Sequence, residues 1–281
     1  MIIKAASVKE AKRDELKRLV ESFPTKPKLS IIMIGESSAS KVYVRNKMKF
    51  AEELGVETNL IHLDEEIKEE EVFRIIDEEN NNPETNGLFV QLPIPKHINE
   101  KKLIEAIDAT KDVDGFTYDN IGKLFVGDET GLFPCTVEGI IDILDHYKID
   151  IQGKNVVIVG RSNIVGKPMA LRLINMGATV TVCNSKTKNI KGFIDNCDIF
   201  ISAIGVAKFF KGEHFVDSKD VTVIDVGMNR DEEGKLCGDV DLESVEDKVL
   251  NITPVPGGVG VMTVVRVIGN VIKAYQNQNN L

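Results

Sequence analysis

Between Ile151 and Ile194 the chain carries seven Lys or Arg and no Asp or Glu, although its formal net charge is -9. Such a local excess of positive charge suits an anion. The stretch opens as Lys154-Asn155-Val156-Val157-Ile158-Val159-Gly160-Arg161-Ser162-Asn163-Ile164-Val165-Gly166-Lys167-Pro168, a buried-strand pattern that runs into glycine and then a helix start. Glycine lets backbone approach a ligand closely, and a helix N-terminus offers N–H groups and a positive dipole end to a phosphate. The usual dinucleotide fingerprint is GxGxxG; here Ser162 stands at its second glycine, and Gly166 and Pro168 mark the helix start. Gly160, Arg161, Ser162 and Gly166 are therefore the expected coenzyme-binding residues. The simpler alternative is a solvated basic face on an ordinary helix and strand.

The next strand narrows the choice of coenzyme. NAD sites place an acidic residue about 20 positions after the first glycine to bind the ribose 2′-hydroxyl. Here the strand Ala178 to Cys183 ends in Asn184-Ser185-Lys186, with no carboxylate. A 2′-phosphate is tolerated there. Arg161 can fork onto it and Ser185 can donate to it, so the expected cofactor is NADP.

A second group lies near the N-terminus. Tyr43 and Lys47 are four residues apart and share one face of a helix. Alone, such a pair is as well explained by a packed ring beside an amphipathic lysine stem. Three polar loops give it context: Val90-Gln91-Leu92-Pro93-Ile94-Pro95, Lys111-Asp112-Val113-Asp114-Gly115-Phe116 and Thr253-Pro254-Val255-Pro256-Gly257-Gly258-Val259-Gly260. Loops of this kind gather at the carboxyl ends of strands in open α/β sheets.

The elements that position these residues follow from periodicity. Apolar runs alternate with helix-period segments from end to end, so the fold class is α/β with parallel strands. Strands are expected at Leu29 to Ile34, Glu57 to Leu63, Gly87 to Gln91, Asn155 to Gly160, Thr179 to Cys183, Ile199 to Ala203 and Val221 to Val226. Helices are expected at Val8 to Glu21 and at Ser40 to Gly55, with Ser40 as N-cap and Gly55 just past the end. A last helix spans Met262 to Gln276. The acidic run Asp64 to Glu71 reads as a solvated loop and helix start, and the polar tail Gln276 to Asn280 as frayed. The division expected is residues 1–138 with 262–281 in one domain and 139–261 in a Rossmann-like nucleotide domain.

At 281 residues the chain has room for two such domains. No segment approaches the roughly 18 apolar residues of a membrane span, and Met1-Ile2-Ile3-Lys4 lacks a signal-peptide core, so a cytoplasmic protein is expected. The four cysteines and four histidines show no metal-ligand spacing, and the acidic balance argues against nucleic acid.

Taken in order, Ser40-Lys41-Val42-Tyr43-Val44-Arg45-Asn46-Lys47, the VQLPIP loop, KDVDGF, Pro134-Cys135-Thr136, GRSNIVGKP, Val223 to Arg230 and TPVPGGVGVMT resemble the bifunctional methylenetetrahydrofolate dehydrogenase/cyclohydrolase family over Ile31 to Asn270. The resemblance implies an N-terminal α/β folate domain, a Rossmann-like doubly wound NADP domain with a cleft between them, a C-terminal helix returning to the first domain, and a homodimer. It implies NADP-dependent oxidation of 5,10-methylenetetrahydrofolate, then hydrolysis of the methenyl product to 10-formyltetrahydrofolate. Lys47 matches the lysine of the cyclohydrolase step, with Tyr43 lining the same pocket. Gln91 matches the glutamine beside it, and Asp114 the aspartate that hydrogen-bonds the pterin. Arg161 and Ser185 match the 2′-phosphate contacts, and Pro256, Gly257, Gly258 and Val259 the loop that walls folate and nicotinamide. The departures are Val137 and Val261 where proline is usual, Ala109-Thr110 before KDVDG, and Asn184 where histidine is common. The rivals are a monofunctional NAD(P)-linked dehydrogenase of this family, marked by loss of a lysine at position 47, a non-catalytic dinucleotide sensor, and an NADP-linked dehydrogenase of amino or shikimate-like acids, which leaves TPVPGGVG unexplained.

Overall fold

The computed structural model describes residues 1–216 and 219–281. They form two compact units, one of Ala11–Cys135 with Val264–Leu281 and one of Met1–Glu10 with Thr136–Thr263. The first ten residues thus belong with the nucleotide half, where the sequence placed them with the other. The reason is backbone pairing: Ile3 N donates to Ile252 O at 2.9 Å and Ala5 N to Gly257 O at 3.0 Å.

In chain order the N-terminal half contains α1 (Ala5–Glu21), β1 (Lys28–Ile34), α2 (Ser38–Leu54), β2 (Glu57–Leu63), α3 (Glu69–Asn81), β3 (Gly87–Val90), α4 (Glu100–Glu105) and α5 (Tyr118–Val126). Its three strands are parallel in the order β2-β1-β3. β1 and β3 are buried almost throughout, as central parallel strands require, while β2 alternates as an edge does. Ile32, Ile34, Val72, Ile76, Leu88 and Val90 are at the centre of the core between this sheet and its helices.

α2 starts earlier than periodicity suggested. Ser37, not Ser40, is the N-cap, its hydroxyl accepting from Ser40 N at 3.3 Å. Gly55 ends the helix with φ +82°, a left-handed conformation that L side chains rarely adopt. The segment expected as the KDVDGF loop is half strand: Leu88 N donates to Lys111 O at 2.7 Å, and Leu88 bridges Asp112 in parallel.

Lys111 holds that segment at its start. Its buried ammonium donates to the carbonyls of Glu79, Asn80 and Asn82 at 3.1, 2.7 and 2.8 Å, closing the C-terminal end of α3. Helix-end carbonyls have no partner of their own, and a cation there also meets the negative end of the dipole. Lys111→Met removes the cation from three carbonyls at the end of α3, of which Glu79 O and Asn82 O keep a backbone donor from Asn82 N and Thr85 N, so it is expected to lower stability by about 1–3 kcal/mol. Urea unfolding monitors this; an unchanged midpoint would remove the capping role.

The other half contains α6 (Cys135–His146), β4 (Asn155–Val159), α7 (Gly166–Asn175), β5 (Thr179–Cys183), α8 (Ile190–Ile194), β6 (Ile199–Ser202), β7 (Thr222–Asp225), the short pair β8 (Asn229–Arg230) and β9 (Leu236–Cys237), α9 (Leu242–Val245) and β10 (Asn251–Ile252). Five strands are parallel in the order β10-β7-β6-β4-β5. Counted within the unit this is 2-1-3-4-5, a doubly wound sheet whose chain reverses direction of growth at β4 and β6. Phe200, Phe210 and Phe215 fill the core on one face. β8, β9 and β10 are too short to leave a periodic signal.

α10 (Val259–Asn279) completes the chain, and its residues from Val264 onward belong to the first unit. It runs past Gln276, so the tail is not frayed there. Gln278 explains the extension: its Nε2 donates to Asn86 O and Thr110 O, both at 3.0 Å.

Candidate functional site

The 2-1-3 order of the first sheet puts its switch point between β1 and β3, and ligands bind beyond the carboxyl ends of such strands. Gln91 follows β3 there, and its N–H extends the ladder by donating to Ile32 O at 2.8 Å. α2, the crossover helix that follows β1, carries Tyr43 and Lys47. Lys47 is only 6% exposed. Its ammonium sits 3.8 Å above the centre of the Phe89 ring and donates to Gln91 Oε1 at 3.3 Å. Gln91 Nε2 donates in turn to Leu92 O at 2.7 Å, which turns the amide oxygen toward the lysine. An ammonium so placed is oriented by the ring face and one neutral acceptor. Tyr43 is half-buried, and burial pushes its phenol above the usual value.

Asp114 completes the group. Burial raises its carboxyl pKa, Lys47 pulls it down, and Asp112 pushes it up again. The two aspartates of KDVDGF have different work. Asp112 accepts from Gly115 N at 2.9 Å, Thr117 N at 2.8 Å and Asn120 Nδ2 at 3.2 Å. It is the one that stabilises the turn. Asp114 carries no side-chain hydrogen bond among the described residues, so its acceptors remain for a ligand. The turn itself needs Gly115, whose φ is +76° and whose added Cβ would lie 2.6 Å from Leu132 O.

Asn270 was missed in the sequence. From α10 it donates to Val113 O at 2.8 Å and Phe133 O at 2.9 Å, holding the Asp114 loop to the Pro134-Cys135 segment. Cys135 Sγ shares the Val113 carbonyl at 3.2 Å, and burial pushes its thiol well up, so it is no nucleophile. The available signal was a lone amide in the apolar run Val267 to Ile272.

In the nucleotide unit the glycine turn follows β4. A Cβ on Gly160 would lie 2.3 Å from Ala203 O, and one on Gly166 would lie 2.2 Å from Gly160 O, so both positions demand glycine for close backbone packing. Ser162 is also bonded within the turn. Its hydroxyl accepts from Val165 N at 3.1 Å and Gly166 N at 3.4 Å, and its carbonyl from Lys167 N at 3.0 Å. These bonds to Val165, Gly166 and Lys167 fix the loop that leads into α7. Arg161 and Ser185 are exposed beyond the ends of β4 and β5. Asn184 folds onto its own turn, its Oδ1 accepting from Lys186 N at 3.0 Å. The arrangement fits a dinucleotide with a 2′-phosphate: a glycine cradle, a guanidinium and a hydroxyl, with no carboxylate in the stretch.

The Thr253 to Val259 loop leaves β10 in the same unit. Gly257 has φ +101°, and a Cβ on Gly258 would lie 2.4 Å from Pro254 O. Pro256 and Gly257 are exposed, while Gly258 and Val259 are buried and Val259 starts α10. Among the described residues no group of three or more His, Cys, Asp or Glu could hold a metal, and no helix is long and apolar enough to cross a membrane.

Comparison with known proteins covers both halves. Residues 3–114 match the tetrahydrofolate dehydrogenase/cyclohydrolase catalytic domain, and residues 134–279 the NAD(P)-binding domain of the same name. The chain is 49% identical over 260 residues to the bifunctional protein FolD of Streptococcus thermophilus, covering 92% of this chain and 90% of that one. The crystal structure of the bifunctional FolD enzyme of Campylobacter jejuni superposes with a TM-score of 0.94 at 40% identity, over 99% of both chains. The Trypanosoma brucei methylenetetrahydrofolate dehydrogenase-cyclohydrolase, solved with NADP and an inhibitor, has a TM-score of 0.92 at 31% identity, over 100% of this chain and 99% of that one.

Proposed function

The chain belongs to the tetrahydrofolate dehydrogenase/cyclohydrolase family, and on that premise we propose that it oxidises 5,10-methylenetetrahydrofolate with NADP and hydrolyses the methenyl product to 10-formyltetrahydrofolate. The observation that carries both activities is the Lys47–Gln91 contact beside Phe89 and Asp114, in a chain that also has the acid-free glycine turn. A dehydrogenase alone needs only positioning.

Residues 1–138 with 262–281 serve as the folate domain and residues 139–261 as the coenzyme domain, apart from the first ten residues noted above. Gly160 and Gly166 admit the coenzyme backbone, Ser162 shapes their turn, and Arg161 and Ser185 take the 2′-phosphate. Bound NADP supplies the hydride acceptor for the first reaction. Asp114 accepts from the pterin's row of N–H donors, Tyr43 packs on the folate ring system, and Pro256, Gly257, Gly258 and Val259 wall the substrate. Orientation is the main demand of hydride transfer. The second reaction also needs proton handling, because water adds to the methenyl cation and the ring then opens. Lys47 carries that proton at Nζ, and Gln91 holds Nζ in place without adding charge.

The product is a formyl donor, which places the enzyme in one-carbon metabolism with purine synthesis among its outlets. A cytoplasmic location suits four free, buried cysteines. A homodimer is supported by the open edge of β2, where Leu60 is exposed. Purified protein should reduce NADP with methylenetetrahydrofolate and hydrolyse methenyltetrahydrofolate; absence of the second activity alone would make it a monofunctional dehydrogenase.

Asp114→Asn keeps the shape but puts a donor where the pterin presents donors. Both activities are expected to fall together, by about 5-fold to 150-fold in kcat/KM. Unchanged rates with normal folate affinity would mean that Asp114 has no part in recognition.

A further inference from the structure

Beyond the ends of β4 and β6, the strands that flank the switch point of the nucleotide sheet, lies a carboxylate that no step above uses. Asp239 is 0% exposed. Its Oδ2 accepts from Ser202 Oγ at 2.9 Å and Ile204 N at 2.8 Å, and its Oδ1 from Val206 N at 3.0 Å and Asn229 Nδ2 at 2.9 Å. Three of these four donors belong to the segment leaving β6. A carboxylate without solvent is tolerated only when its lone pairs are filled, and here four donors fill them.

The segment so gripped is a wall of the coenzyme turn. Ala203, between two of the anchored residues, directs its carbonyl at Gly160, where an added Cβ would meet it at 2.3 Å. Asp239 is itself braced from behind. Asp225, at the end of β7, accepts from Asp239 N at 3.0 Å, Val240 N at 2.9 Å and Gly227 N at 2.9 Å. Gly227 is required at this brace, since a Cβ there would fall 2.3 Å from Asp239 Oδ1.

We propose that Asp239 is a positioning residue for the coenzyme: its carboxylate sets the Ser202–Val206 segment against the Gly160 turn in the conformation that NADP binding requires. The proposal rests on the reading of that turn as the NADP site. It does not concern the folate residues, all of which lie in other elements.

The two activities separate this role from a general structural one, because the cyclohydrolase step uses no coenzyme. Asp239→Asn keeps the volume but aims an amide at donors. Its Kd for NADP, measured by titration calorimetry, is expected to rise by at least about tenfold, while hydrolysis of methenyltetrahydrofolate stays within about twofold of wild type. Ser202→Ala removes one donor and leaves the rest, so it is expected to weaken NADP about twofold to fivefold with the hydrolase again unchanged. It decides the matter should Asp239→Asn not fold. NADP affinity unchanged in the variants, or hydrolase activity falling in step with NADP affinity, overturns the proposal. Wild-type protein that fails to bind NADP overturns the coenzyme reading itself; wild-type binding with unaltered variants overturns the positioning role alone.

Discussion

Lys47→Met is expected to lower the cyclohydrolase rate by at least about 100-fold, the lower end of what positioned proton transfer contributes, while measurable dehydrogenase activity survives. Methionine preserves much of the side chain's length and apolar stem and removes the amine that sits over Phe89 and donates to Gln91. The oxidation asks only that folate be held, and the proposed pterin acceptor Asp114 is untouched. Methenyl product should then accumulate and be followed by its absorbance. The variant also removes the cation that pulls the Asp114 carboxyl down, leaving burial to push it further up. An acceptor carboxylate is lost as pH falls through its pKa, so the residual dehydrogenase should lose activity at a higher pH than the wild type does. A cyclohydrolase rate within a few-fold of wild type would reduce Lys47 to a packed stem.

Arg161→Ala is expected to weaken NADP binding by about 10-fold to 150-fold, the equivalent of one charge-assisted hydrogen bond of about 1.5–3 kcal/mol. NAD, which lacks the 2′-phosphate, should be far less affected. Arg161 is exposed and lies beyond β4, so its loss leaves the core intact. Equal losses for both coenzymes would rule out the 2′-phosphate contact. Equal wild-type efficiency with the two would point to Asn184, whose side chain is committed to its own turn and supplies no charge.

Strong local signals were legible before any coordinates. The seven expected strands all occur within a residue or two of their places, and β1, β3, β4, β6 and β7 were legible because a buried parallel strand must be an apolar run whatever surrounds it. Gly160 and Gly166 were legible for a similar reason: backbone contact excludes a side chain, and glycine is the only residue that satisfies it. The signal failed where partners are distant. Nothing local to Gln278 says that it meets Asn86 and Thr110, so the last helical turn read as frayed. Nothing local to Met1-Ile2-Ile3 says that it pairs beside β10.

The sequence by itself determined the α/β class, the glycine turn, the absence of an acidic residue after β5 and the helical spacing of Tyr43 and Lys47. Each is a property of consecutive residues and the fixed periods of backbone geometry. Resemblance singled out Asp114, but only tertiary structure shows why Asp112 is not the one left open. Asp112 and Asp114 are two residues apart in one motif, but Asp112 sits at the bridge to Leu88 whereas Asp114 lies in the turn that follows it. Three donors from Gly115, Thr117 and Asn120 consume Asp112, whereas Asp114 is left beside Lys47. It also decided that Ser162 spends its hydroxyl on its own turn, and that Asp239, 79 residues after Gly160, grips the segment packed against that glycine. Hydrogen-bond capacity is finite, and only the folded chain shows where each group's has been used.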